Sequence, residues 1–106
     1  MPKYLVQASY TQAGLQGLLK EGGTSRRTAI DSLVKGMGGS VEAFYYSFGD
    51  QDVHVIVDLP DEASATAVSL AVGASGSVSL KTTVLISSET VDEAVKKTVN
   101  YRSPGS

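Results

Sequence analysis

The chain contains no cysteine, so disulfides, thiolate metal sites and a cysteine nucleophile are all excluded. It has a single histidine, His54, which rules out sites built from several imidazoles, and no metal site is expected. No apolar run approaches the roughly 18 residues that suggest a membrane span, so no membrane partner is expected. The start of the chain lacks the basic and apolar regions of a secretory signal, and a cytoplasmic location is expected. An excess of positive charge is also missing. Nine Lys and Arg against eleven Asp and Glu leave a net charge of −2, which argues against a nucleic-acid partner. There is no internal repeat and no low-complexity tract.

What is present suits one globular domain. A chain of 106 residues buries roughly 65% of the surface its unfolded form exposes, enough for one core without staples. Residues 1–99 are expected to form that domain, and 100–106 a flexible tail.

The stretch Ser40 to Leu59 organises the rest. It reads as two strands around the turn formers Gly49-Asp50-Gln51-Asp52. A two-residue or a four-residue loop gives the same register, pairing Phe48 with Val53, Tyr46 with Val55 and Phe44 with Val57. Alternation then puts Phe44, Tyr46, Phe48, Val53, Val55 and Val57 on one face, and Tyr45, Ser47, His54, Ile56 and Asp58 on the other. The first face is apolar enough to require a cover of helices. The second is mixed.

Around this pair, Lys3 to Ser9 reads as a strand whose Gln7 and Ser9 share the mixed face. Thr11 can cap a short helix that Gly22-Gly23 break. Thr24 or Ser25 caps a second segment, with Ile30, Leu33, Val34 and Met37 at helical spacing, ended by Gly38-Gly39. Asp61 caps a helix whose stripe of Ala63, Ala67, Leu70, Ala71 and Ala74 is expected to sit close to the sheet. Val78 to Ile86 is the last strand, and Ser87 or Ser88 caps a terminal helix through Lys97.

The order β-α-β-β-α-β defines an α+β fold: a ferredoxin-like antiparallel sheet with its crossover helices on one face, plus a C-terminal helix. The opposite face should display Leu5, Gln7, Tyr45, Ser47, His54, Ile56, Lys81, Thr83 and Leu85. It is too apolar for a wet face and too polar for a second core. Such a face predicts sheet-to-sheet pairing into a homodimer, or a higher homo-oligomer, around a partly polar cavity.

Two groups of residues carry candidate chemistry. Histidine is the side chain whose unperturbed charge change lies near neutral pH, and His54 neighbours Ser47 across the hairpin, a general base or a polar anchor; the competing reading is an interface or solvent histidine. Gln7, Tyr45, Ser47, Lys81 and Thr83 would line a ligand site with it. Gly22, Gly23, Ser25, Arg26 and Arg27 place glycines, a hydroxyl and two cations at a helix start, where an anion could sit. The Gly-Lys-Ser/Thr of a nucleotide loop is absent there, and a hinge with solvated arginines is the alternative. Asp50 and Asp52 read as turn formers. Nothing calls for a cofactor.

The segments MPKYLVQASYT, LLKEGGTSRRTAI, EAFYYSFGDQDVHVIVDLPD and SLAVGASGSVSLKTTVL together resemble the GYD domain family, over roughly residues 1 to 95. The family's Gly-Tyr-Asp turn corresponds to Gly49-Asp50-Gln51-Asp52, with Gln51 where a tyrosine is expected. The resemblance implies a dimeric α/β-barrel type of ferredoxin-like domain and supplies no reaction. Three functions follow as expectations. The first is a dimer holding a small organic ligand between sheet and helices or at the dimer face. The second is a cofactor-free oxygenase or isomerase using His54. The third is a dimer that only assembles.

Overall fold

The computed structural model describes all 106 residues. The elements are β1 (Lys3–Tyr10), α1 (Gln12–Glu21), α2 (Gly23–Gly36), β2 (Ser40–Tyr46), β3 (Val53–Asp58), α3 (Glu62–Ala74), β4 (Val78–Leu85) and α4 (Ser88–Ala94). The sheet runs β2-β3-β1-β4 with every neighbouring pair antiparallel. This is the expected ferredoxin-like α+β arrangement.

Local chemistry sets the helix ends. The Thr11 hydroxyl accepts from the Gly14 N–H at 3.2 Å and starts α1. The Asp61 carboxylate accepts from the Ser64 N–H at 2.8 Å and starts α3; that bond holds its carboxyl below the usual range. The α2 start differs from expectation. It follows directly on Gly22, at φ 85°, with no side-chain cap, so Thr24 and Ser25 already lie inside the helix. Only glycine reaches that backbone region easily, which lets the chain turn between α1 and α2 in one residue. At the other end, Gly38 N–H donates to Lys35 O and Gly39 N–H to Val34 O, both at 3.0 Å, closing α2 in a Schellman motif.

The hairpin register is corrected by two residues. Tyr46 pairs with Val53 and Phe44 with Val55, so Ser47 to Asp52 form the loop. Phe48 cannot extend β2 because it sits at φ 51°; its ring stacks on Tyr46 with centroids 5.7 Å apart. Asp52 fastens the loop to β1: its N–H donates to Ala8 O, and its carboxylate accepts from the Tyr10 N–H, both at 2.8 Å. A slip of two preserves the faces, whereas a slip of one would have exchanged them. A bulge between Val41 and Ala43 then returns Val41 to the helix side, opposite Val57.

The core lies between the sheet and the helices. Its buried members are Tyr4, Val34, Phe44, Val53, Val55, Val57, Leu59 and Ala65. The α3 stripe read from sequence faces outward. Ala63, Ala67, Leu70, Ala71 and Ala74 are exposed, and Ala65, Val68, Ser69 and Val72 turn inward. This helix is apolar on nearly every side, so periodicity alone could not choose its packed face.

Beyond β4 the chain leaves the body. Every residue from Ile86 to Ser106 is exposed, α4 included. The radius of gyration is 17.0 Å, against roughly 13 Å for a compact domain of this length.

Candidate functional site

Two surfaces compete as the functional site, one on each side of the sheet. The open side carries a polar row across all four strands. In register it reads Tyr45, His54, Gln7, Lys81, with Ala43, Ile56, Leu5 and Thr83 in the next row. Four of the sequence-nominated residues therefore stand side by side, Thr83 lies one row away, and Ser47 reaches in from the loop.

Hydrogen bonds fix how His54 is held. The Ser47 hydroxyl donates its proton to the Gln51 carbonyl, so toward His54 Nε2, 3.0 Å away, it can only accept. Nε2 therefore carries the ring proton. Nδ1 is left to accept from Gln7 Nε2, at 3.5 Å. Both ring nitrogens are thus engaged by the protein's own groups. None of His54, Gln7, Tyr45, Ser47, Lys81 or Thr83 lines the cavity on the helix side of the sheet.

One row further along, Lys3 Nζ bridges Glu42 at 2.9 Å and Asp58 at 3.0 Å. These hydrogen bonds, Glu42 first, raise the pKa of the ammonium. Glu42 is the extra residue of the bulge, which is why strict alternation could not place it here.

On the other side of the sheet, between the strands and α1, α2 and α3, lies a cavity of about 350 Å³. Its wall is mainly aliphatic, including Val6, Ala8, Ile30, Leu33 and Val55. Glu21 and Arg26 are its only charged lining residues. Both are partly exposed, their closest approach is 3.7 Å, and they mark a mouth where the cavity meets solvent. Tyr10 stands at the same end. Burial, reinforced by the Tyr46 phenol, pushes the Tyr10 phenol up to about 12, against the opposing pull of Arg26. Tyr10 is thus a neutral hydroxyl at any physiological pH. The Tyr46 hydroxyl donates to Gly23 O at 3.0 Å, tying β2 to the start of α2. On the α3 side, Ser69 and Thr82 hydroxyls meet at 2.9 Å.

The glycine-arginine segment is divided by this geometry. Gly22 and Gly23 form the helix junction, Ser25 and Arg27 point to solvent, and Arg26 alone lines the cavity. Tyr10 and Glu21 were missed as site residues. Tyr10 shares the parity of Tyr4, Val6 and Ala8, and extending β1 by one residue would have put it on the helix side.

A family model for the GYD domain matches residues 4–95, and the chain belongs to that family. No curated protein and no solved structure matches it. No helix is long and apolar enough to cross a membrane.

Proposed function

We propose that the chain is one subunit of a homodimer that binds a small, mainly apolar organic molecule between its sheet and its helices. The observation that carries this reading is the 350 Å³ cavity. It falls within the roughly 300–1,000 Å³ of small-molecule sites, with the usual mix of apolar wall and few polar groups. An apolar guest would replace water along the aliphatic wall, at ~25 cal/mol for each Å² of apolar surface taken from solvent.

Three features support the dimer. The open sheet face mixes apolar and polar side chains with no element of its own chain over it. The outward side of α3 exposes Leu70 among alanines. The C-terminal arm presents Ile86, Val91, Val95, Val99 and Tyr101 to solvent. A helix as short as α4 is marginal alone in water, and packing normally supplies its stability. A second copy can supply that packing and cover the open face together.

The reading is tested by native mass spectrometry of protein purified without denaturation, followed by organic extraction. A dimer that releases an apolar compound is expected. A monomer of the bare sequence mass, with nothing in the extract, would contradict it.

A further inference from the structure

We infer that the guest is a monoanionic apolar organic acid, held with its anionic group at the cavity mouth against Arg26 and Tyr10 and its hydrocarbon body along the sheet. This rests on the reading of the cavity as a ligand site and adds the chemical class.

The cavity is polarised. Its deep wall offers valines, leucines and an isoleucine, surfaces that reward burial of hydrocarbon at ~25 cal/mol per Å². Its mouth carries the one cation of the lining, Arg26. The only carboxylate near that guanidinium, Glu21, approaches to 3.7 Å, beyond hydrogen-bond range. Held within the chain by this long ion pair and by the neighbouring Tyr10 phenol, the guanidinium still has N–H groups free for the fork that arginine offers to carboxylates. A ligand carboxylate at this place gains charge-assisted hydrogen bonds without being carried into the apolar depth, where desolvation would cancel the gain.

Two further groups favour an anion over a cation or a neutral head. Tyr10 is a neutral hydroxyl beside Arg26 that supplies no negative charge. The N-terminus of α2 lies three residues before Arg26, with no acidic residue in its first turn and no side-chain cap on its N–H groups. Its dipole adds positive potential there, offset in part by the carbonyl end of α1, which closes at Glu21. A cationic ligand would meet the guanidinium, with Glu21 and the carbonyl end of α1 to offset it. A neutral alcohol would leave the guanidinium with the long Glu21 contact and no charge-assisted hydrogen bond to the guest.

The test compares 2-naphthoate with 2-naphthalenemethanol, matched in their ring system and different in charge, by isothermal titration against the full chain and its Arg26→Gln variant. Arg26 is one-third exposed, so the variant is expected to fold; alcohol binding doubles as the check. The expected result is that the wild-type chain prefers the acid by about tenfold or more, in line with a charge-assisted pair. Arg26→Gln should abolish that preference while the alcohol affinity stays within about twofold. Equal binding of acid and alcohol to the wild type would overturn the inference and leave the cavity reading standing. A preference for the acid that survives in Arg26→Gln would overturn the role given to Arg26. Binding of neither compound at millimolar concentration would overturn the cavity reading itself.

Discussion

Ala8→Leu is the perturbation whose sign depends most sharply on the cavity being present. Ala8 sits on β1 between Val53 and Leu80 in register, with its methyl toward the helices and into the void. Leucine adds three carbons there. At ~0.8 kcal/mol per buried methylene the ceiling is about 2.4 kcal/mol, and partial burial brings the expected gain nearer 1–2 kcal/mol. For a domain of this size each kcal/mol moves Tm by roughly 4–8 °C, so a rise of about 5–15 °C is expected. Urea unfolding of ligand-stripped protein measures it, with an unchanged m-value showing that stability alone has moved. The same variant should weaken 2-naphthoate, since it occupies the guest's space. If the helices instead close onto the sheet in solution, the added carbons overpack a full core. Destabilisation by ~1–3 kcal/mol would then be seen, and the reasoning refuted.

Three further expectations follow from other parts of the structure. Gly14→Ala should cost ~1–3 kcal/mol, because a Cβ at this buried glycine would run into the Ser77 carbonyl, whose oxygen also accepts from Thr11 N–H; Gly17→Ala, with open space around it, should gain up to ~1 kcal/mol by chemical denaturation. Tyr10 should ionise at about 12 in an ultraviolet titration. Its folded pKa is raised above the unfolded value near 10, so the stability it contributes is complete below pH 10 and is lost as pH rises through 12; Tyr10→Phe should flatten that stretch of the stability profile. Val91→Asp with Val95→Asp should shift sedimentation from dimer toward monomer while leaving subunit unfolding cooperative, since both side chains are exposed on a single chain; an unchanged dimer would remove the arm from the interface.

The parts of this fold that sequence reveals are those governed by alternation and capping. The parity of the hairpin put Tyr45, His54 and Ile56 on one side and Phe44, Val53 and Val55 on the other, and a register error of two left those sides intact. Thr11 and Asp61 marked helix starts because only their side chains could satisfy the first free N–H groups. Two things were illegible for physical reasons. The packed side of α3 was hidden because the helix is apolar nearly all round. The cavity was hidden because a void has no residues of its own; it arises from how far three helices stand off the sheet. Alternation points to the polar residues of the open face, the row around His54, whereas the mouth residues Tyr10, Glu21 and Arg26 converge from three different elements.

The central claim is that the guest lies on the helix side of the sheet. Strand alternation makes this directly measurable through intermolecular nuclear Overhauser effects between bound 2-naphthoate and methyl groups. Contacts to Val6, Val55 and Leu33 are predicted. Contacts to Leu5 and Ile56, whose side chains stand on the opposite face beside His54, would contradict it.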